Sequence, residues 1–239
     1  MIELRTVDAA MALRLSPLLR AAKLTLDHVL ENGPLPLTPN KAFKRVFVTW
    51  AAEQFDWPGM TAAELYRVNK VLNEQDFPPL EMLHHLLLDL KLGRHFKGQF
   101  MLSKQGKALA ADPVQLFAHI IPPYLFEMDH SYYARFPDRP FGKWDVWLNV
   151  INVEAENGAT ETGLFEVFYG KQPDNSMESW RERGAFYANV LRPLCAAGFL
   201  TEHDIKGSPR ADTEYFKTEL WRSVLKLDTD KMLPQRFVH

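Results

Sequence analysis

The chain has 239 residues, 46% apolar and 12% aromatic, with a formal net charge of -2. This size and composition predict one or two globular domains. Because the chain is not basic overall, any binding of nucleic acid must depend on a local cluster of positive charge. The single cysteine, Cys195, excludes an internal disulfide and a multi-cysteine zinc site and favours the reducing cytoplasm.

Membrane insertion and secretion are not expected from this sequence. No stretch approaches the roughly 18 consecutive apolar residues that span a bilayer. The first residues also lack the apolar core of a signal peptide. We therefore predict a cytoplasmic protein.

The first 33 residues predict a helical arm. Apolar residues from Leu4 to Val29 recur with a period close to 3.6 and form one stripe. Ser16-Pro17 divides this arm, because serine favours an N-cap and proline the first helical position, so a second helix should begin at Pro17 and end near Gly33. The arm either packs on the rest of the protein or forms a dimerisation helix.

Residues 34–126 predict a first winged-helix-like domain. A helix is expected over residues 41–55, and Thr61 with Glu64 predicts a capping box for the next helix, with Leu65, Val68 and Leu72 facing inward. A third helix carries Leu80, Leu83, Leu87 and Leu90 and is predicted to stop at Gly93. Two short strands, residues 94–96 and 99–102, flank a turn at Lys97-Gly98 and form the wing.

The second half repeats this order after a linker at residues 127–143. Helices are predicted over residues 144–155, 160–169 and 176–197, with Trp180 and Tyr187 among the core residues of the third. Strands over 199–205 and 214–217 form a second wing, followed by a helix over 220–227. We predict a mainly α fold with small β-wings (α+β), an N-terminal helical arm followed by two winged-helix-like domains, the second over residues 144–239.

Three segments of the first half carry a resemblance to a known group. They are Leu35-Pro36-Leu37-Thr38, Asp76-Phe77-Pro78-Pro79-Leu80 and the run from Gly98 to Leu109. These resemble uncharacterised bacterial winged-helix proteins related to the plasmid ORF-3 family, in which a P-L-T segment precedes a wing reading G-x-L-x-L-T-x-x-G. The resemblance implies a fold and no catalytic residues. Some members carry a Cys-rich metal-binding tail that this chain lacks, so we expect no metal or other cofactor.

The first wing is the sharpest charge feature in the chain. Between Leu90 and Ala111 lie five basic residues and no acidic residue. Clustered Lys and Arg displace the counterions of a nucleic-acid backbone, and basic residues at the start of the preceding helix would extend the cluster. The predicted nucleic-acid-binding residues are Lys41, Lys44, Arg45, Lys91, Arg94, Lys97, Lys104 and Lys107. The alternative is an ordinary solvated basic surface.

The third helix of the first domain argues against base reading. Its solvent face is predicted to carry Glu81, His85 and Asp89, whereas base edges are read chiefly by Arg, Lys, Asn and Gln. Carboxylates at that position repel phosphates. Contact with duplex DNA through phosphates, with low sequence specificity, is therefore the more consistent hypothesis.

The second half is a poorer candidate for binding nucleic acid. Residues 199–219 contain three basic and five acidic residues, a formal charge of -2. Arg181, Arg183, Asn189 and Arg192 on the long helix could read DNA, but Glu178 and Glu182 lie among them, and this mixture favours a solvated helix face.

Other chemistry is weakly indicated. The histidines lack metal-ligand spacing, Cys195 lies among apolar residues, and neither a Gly-rich phosphate loop nor a Gly-x-Ser-x-Gly elbow is present, so we do not predict an enzyme. The aromatic residues Tyr132, Tyr133 and Phe136 are a candidate partner surface or a seal between domains.

Two hypotheses follow from the sequence. The first is a DNA-binding regulator or accessory factor. The second is a protein-interaction module, with a protein partner or a second copy of the chain, that uses winged helices as scaffolds without nucleic acid.

Overall fold

The computed structural model describes residues 3–171, 176–205 and 213–233, and the chain divides into two compact units. The N-terminal unit is Asp8–Tyr124, and the C-terminal unit joins the described residues of Met1–Val7 to those of Leu125–His239. Helices dominate and the sheets are small and antiparallel, which confirms the predicted mainly α composition. The domain boundaries expected from the sequence stay predictions.

The chain begins with strand β1 (Glu3–Leu4), which belongs to the C-terminal unit, and then builds the N-terminal unit. The elements of that unit are α1 (Ala9–Leu15), α2 (Pro17–Asn32), β2 (Leu35–Pro36), α3 (Arg45–Gln54), α4 (Ala62–Val68), a 3-10 helix (Glu74–Asp76), α5 (Pro78–Asp89), β3 (Gly93–Phe96), β4 (Gln99–Leu102), α6 (Lys104–Ala110) and the greater part of α7 (Pro113–Phe126). The three strands β2 to β4 form a sheet in the order β2-β4-β3.

The start of α2 and the cap of α4 are confirmed. The Ser16 hydroxyl accepts a hydrogen bond from the backbone N–H of Leu19 at 3.2 Å, and α2 ends at Asn32 before Gly33. Thr61 and Glu64 form the predicted capping box. Leu65 and Leu72 are buried, but the prediction that Val68 faces inward is wrong, because its side chain is 77% exposed.

The hairpin of the N-terminal unit is confirmed, with one correction at its start. Lys97 and Gly98 both have positive φ, 48° and 72°, as a two-residue turn of the I′ type requires. The helix α5 ends at Asp89, so Gly93 does not stop it. Instead Gly93 opens β3, where the ring of Phe100 lies so close that an added Cβ would be 2.1 Å from it.

The C-terminal unit has a similar order of elements, with a short strand after a helix, then further helices, then a hairpin. It contains a 3-10 helix (His130–Tyr133), α8 (Trp144–Glu154), β5 (Ala159–Thr160), α9 (Glu161–Tyr169), α10 (Met177–Phe186), a π-helical turn (Tyr187–Leu191), α11 (Arg192–Ala197), β6 (Leu200–Asp204), β7 (Thr213–Lys217), α12 (Glu219–Val224), β8 (Leu225–Lys226) and a 3-10 helix (Asp228–Met232). Its larger sheet has the order β5-β7-β6, in which the short strand pairs with the second strand of a hairpin, as β2 does with β4. Residues 206–212 of the predicted second wing lie outside the described residues.

The long helix predicted over residues 176–197 is present, but a π-helical turn separates α10 from α11. Val190, Leu191 and Leu194 are fully buried. Trp180 was predicted to lie in the core, and this is wrong, because its side chain is 64% exposed.

A two-stranded sheet between β1 and β8 was not predicted. Glu3 pairs with Lys226 and Leu4 with Leu225, and the N–H of Arg5 donates to the carbonyl of Val224 at 2.8 Å. Leu4 therefore does not belong to the helical stripe. The predicted closing helix is also shorter than expected, since α12 ends at Val224 and the chain continues as a strand.

Candidate nucleic-acid interface

The hairpin formed by β3 and β4 has an inner and an outer face. Side chains alternate along a strand, so His95 and Phe100 point toward the core while Arg94 and Phe96 point outward. Phe100 is fully buried, whereas Arg94 and Phe96 are exposed. The inner face anchors the hairpin and leaves the outer face open to solvent.

Two of the predicted basic residues of the loop before α3 lie near the turn of the hairpin. The N–H of Leu37 donates to the carbonyl of Gly98 at 2.8 Å, and Leu37 forms a bridge with Phe43. The N–H of Lys44 donates to the carbonyl of Pro36 at 3.3 Å, which holds the loop beside β2. Lys41 is close enough for its charge to act on His95. The loop that carries Lys41 and Lys44 therefore lies beside β2 and the turn of the hairpin.

The remaining basic residues of the hairpin region lie at its open end. Lys91 precedes β3, and Lys104 and Lys107 follow β4 on α6. The N–H of Ser103 donates to the carbonyl of Leu92 at 2.9 Å, which closes this end. The predicted basic cluster is therefore divided between the two ends of a short hairpin.

All eight predicted basic side chains are exposed, and within the described part of the chain none of them forms an ion pair. Arg45 donates a hydrogen bond to Asn73 Oδ1 at 3.0 Å. Cations that no internal carboxylate neutralises attract external anions. The group consequently remains available to a polyanion.

The helix α5 is mostly buried. Of the three residues predicted for its solvent face, only Asp89 is exposed, whereas Glu81 and His85 are half-buried. The helix packs four of its five leucines and Met82 into the core and presents few polar side chains to solvent. The burial of α5 is thus a second reason, in addition to its acidic residues, why this helix is poorly suited to reading bases.

A chain of hydrogen bonds, buried at Glu74 and His84 and half-buried at His95, joins three elements behind the hairpin. Glu74 Oε1 lies 2.6 Å from His84 Nδ1, and His84 Nε2 lies 2.8 Å from His95 Nε2. The second carboxylate oxygen of Glu74 accepts from the N–H of Phe43 at 2.6 Å, and the Phe43 ring stacks on His84 with centroids 3.9 Å apart. We call Glu74, His84 and His95 the buried relay.

The buried relay was missed by sequence reasoning. His84 follows Leu80 by four residues on α5 and so shares its inner face, and His95 occupies an inward position of β3. Those positions predict that both imidazoles face inward, and His84 is buried while His95 is half-buried. Nothing local predicts that they meet each other and Glu74.

Acid is expected to destabilise the protein through His95. Burial lowers the pKa of His95 from its ordinary value. The charges of His84, Lys41 and His85 lower this pKa further, whereas the charge of Glu74 raises it. Because the unfolded chain takes up this proton more readily, the free energy of unfolding should fall as pH drops below about 6.5. Urea unfolding at several pH values from 7.5 to 5 measures this slope.

The matched variant is His95→Gln, whose amide can still donate to His84 but does not titrate. Its unfolding free energy should fall less steeply with acid than that of the wild type. Burial also lowers the pKa of His28, so adding His28→Gln should flatten the slope further. Equal slopes for wild type and His95→Gln would refute this assignment.

The basic residues on α10 and α11 are used internally. Arg181 makes two hydrogen bonds to the Asp138 carboxylate at 3.1 and 2.9 Å, and Arg192 donates to the carbonyls of Tyr133 and His130. Arg183 donates to Thr162 Oγ1 at 3.2 Å. These contacts contrast with the basic cluster of the N-terminal unit, where the cations are not ion-paired.

Comparison with known proteins identifies the family. The family model of the Y4jL N-terminal domain matches residues 14–115, and that of the y4jL C-terminal domain matches residues 134–219. The chain is 35% identical over 189 residues to the uncharacterized protein y4jL of Sinorhizobium fredii (strain NBRC 101917 / NGR234), an alignment covering 77% of this chain and 86% of the relative. The chain belongs to the y4jL family. No solved structure matches it significantly.

In this member of the y4jL family, each matched segment lies within one compact unit. The N-terminal match contains all eight predicted nucleic-acid-binding residues. These matches confirm an uncharacterised bacterial family, whereas its relation to the plasmid ORF-3 family stays a prediction.

The candidate partner surface lies in the C-terminal unit, on the segment predicted as a linker. Tyr132 is 71% exposed and makes an edge contact with Tyr133, with ring centroids 5.0 Å apart. Phe136 is half-buried under Arg135 and Arg181. The three residues are near one another in sequence, but only Tyr132 presents most of its ring to solvent.

Further candidate sites of this y4jL-family chain are limited. Among the described residues, no group of three or more His, Cys, Asp or Glu side chains is arranged to hold a metal ion. Burial raises the pKa of the Cys195 thiol well above its ordinary value, which disfavours a nucleophilic thiolate. None of the helices in the described ranges has both the length and the apolar character that spanning a bilayer requires.

Proposed function

We propose that this y4jL-family protein binds duplex DNA through phosphate contacts, with little base reading, as a cytoplasmic regulator or accessory factor. The observation that supports this most directly is the exposed basic cluster around the β3–β4 hairpin, whose cations are not ion-paired within the described residues. The burial of α5 favours contact without sequence preference. In this proposal both units are winged helices, supported by their shared order of helix, short strand, helices and hairpin.

Removing three cations of the cluster should weaken binding. We expect Arg94→Ala, Lys97→Ala and Lys104→Ala together to lower affinity for a generic duplex by about 10- to 100-fold near 50 mM salt. The slope of log K against log salt should become less negative by roughly 0.9 for each phosphate that the variant no longer neutralises. Fluorescence anisotropy with a labelled duplex over a range of salt concentrations measures both quantities.

A matched triple variant separates local charge from net charge. Lys143→Ala, Lys171→Ala and Lys231→Ala remove the same formal charge from exposed positions of the C-terminal unit. This variant should bind like the wild type, and changing the duplex sequence should alter affinity little. No binding by the wild type near 50 mM salt, or equal binding by the hairpin triple variant, would overturn the proposal.

A protein-interaction module is the second candidate, and one observation favours it. The short helix α4 and its surroundings expose apolar side chains, with Val46 84%, Val68 77% and Val71 49% exposed. Tyr66 is also exposed and lies against Thr49 of α3 at 3.4 Å between hydroxyl oxygens. A solution mass above the 27.6 kDa of one chain that returns to that value in a Tyr66→Ser, Val68→Ser variant would support self-association.

A further inference from the structure

Phe96 is an exposed aromatic residue that the hairpin core does not use. It is the last residue of β3, points to the outer face, and is 47% exposed, whereas Phe100 fills the inner face. Its cross-strand partner Gln99 is also exposed. A single exposed apolar ring is common on protein surfaces, so the case for Phe96 depends on the charged side chains around it.

Two cations lie over the Phe96 ring. The guanidinium carbon of Arg94 is 5.5 Å from the ring centroid, and Lys97 Nζ is 5.3 Å from it. Both distances fit cation–π attraction. Neither cation is ion-paired in the described structure, so each can turn to a phosphate and leave a ring face uncovered.

Other aromatic residues with nearby cations differ from this arrangement. Phe136 also has two arginines beside it, but it is half-buried and Arg181 is held by Asp138. Phe165 is buried under Arg183. In the described residues, Phe96 is thus distinguished by an exposed ring with two nearby cations, neither of which is paired with an internal carboxylate.

We infer that Phe96 stacks on an unpaired nucleobase while Arg94 and Lys97 contact the flanking phosphates. This inference rests on the proposed DNA binding and deepens it, because it makes DNA with unpaired bases the preferred ligand of the hairpin turn. An aromatic ring stacks on any base, so this contact adds affinity without reading sequence. A paired base within an intact duplex offers no free face to the ring.

A nucleic acid fits this turn better than a lipid surface does. The residues after Phe96 are Lys97, Gly98 and Gln99, so one ring is the only large apolar group that the turn presents. Interfacial binding to membranes depends on a larger buried apolar area. Nearby Lys41 and Lys44 add charge suited to a phosphate backbone.

The test compares an intact duplex with the same duplex carrying a three-base bubble, at one salt concentration and with the full chain. The wild type should prefer the bubble by about ten-fold, within the range that alanine replacement of stacking residues gives. Phe96→Ala should lose most of this preference while keeping duplex affinity, and Phe96→Trp should retain it. A 2-aminopurine in the bubble should be quenched by wild type and much less by Phe96→Ala.

Phe141→Ala is the matched control, because Phe141 is an exposed aromatic residue of the C-terminal unit. It should leave the bubble preference unchanged. Equal preference in wild type and Phe96→Ala, with duplex binding still dependent on the basic cluster, overturns only the stacking inference. Failure to bind either DNA overturns the proposed function as well, and Phe96-dependent binding to anionic vesicles without DNA binding identifies a lipid surface instead.

Discussion

Replacing Asn152 by leucine should lower the free energy of unfolding of the C-terminal unit by about 3 kcal/mol, a large effect for a single substitution. Asn152 is buried on α8, and its side-chain amide uses all four of its hydrogen-bonding positions. Its Nδ2 donates to Thr229 Oγ1 and Asp230 Oδ1, each at 3.0 Å. Its Oδ1 accepts from Trp221 Nε1 at 2.9 Å and Lys217 Nζ at 3.2 Å.

Leucine has a similar size but would leave these partners without their shared amide. The Trp221 side chain is fully buried, so its N–H could not turn to water. Lys217 Nζ would keep the Asn152 carbonyl at 2.6 Å and the Glu156 carboxylate at 2.6 Å, which limits the destabilisation. Leaving a buried donor unsatisfied costs about 1 to 3 kcal/mol, and the other broken hydrogen bonds add to it.

Urea unfolding followed by far-ultraviolet circular dichroism measures this change. Asn189→Leu is a control in the same unit, because its Nδ2 donates only to two backbone carbonyls, those of Ala185 and Asp138. The control should cost clearly less than Asn152→Leu. Similar destabilisation by the two variants would mean that the shared amide is not the reason for the stability.

Gly106→Ala should lower the free energy of unfolding of the N-terminal unit by about 2 kcal/mol, although alanine favours a helix. A Cβ at Gly106 would lie 2.1 Å from the carbonyl oxygen of Leu92, which already accepts from Ser103 N–H. Backbone atoms cannot move aside as a flexible side chain can. The helix α6 and the open end of the hairpin would therefore separate.

Gly184→Ala should have the opposite effect on stability, because Gly184 lies in a helix with open space around it. Nothing lies within 4 Å of an added Cβ at Gly184, so alanine should stabilise α10 by roughly 0.5 to 1 kcal/mol. Both variants replace glycine by a better helix former, and thermal or urea unfolding should nevertheless show opposite signs. A stabilising Gly106→Ala would show that α6 does not need this close approach.

Elements with local signals were predictable. The Lys97-Gly98 turn, the Ser16 cap and the Thr61 capping box each depend on residues a few positions apart, and all three are confirmed. Gly98 and Gly106 of the wing motif also have structural explanations, one in a positive-φ turn and the other against Leu92. The motif therefore describes how a hairpin is built more than what it binds.

Contacts between distant residues were not predictable. The buried relay joins a 3-10 helix, α5 and β3, and the Asn152 network joins α8 to residues near the end of the described chain. Hydrophobic periodicity could place His84 and His95 inward but could not choose their partners. Helical periodicity also misplaced Val68 and Trp180, because an apolar residue on a short or terminal helix turn is not bound to face the core.

The basic cluster was predictable as a set of exposed charges, but its arrangement was not. Sequence spacing suggested one group from Lys91 to Lys107, whereas the hairpin separates the turn from the open end. The position of Phe96 also depended on alternation along β3, which sets it beside Arg94 on the outer face. The basic residues therefore form two groups, one at the turn and one at the open end of the hairpin, and separate variants can test each group.

The pairing of β1 with β8 has a mechanical consequence. Residues 8–124 are inserted between the first strand of the C-terminal unit and the rest of that unit. A force pulling residues 3 and 233 apart would pass through the β1–β8 ladder and bypass the inserted residues. Tension between these two residues would reach the N-terminal unit only after that short ladder had opened, so the hairpin and its charges are shielded from it.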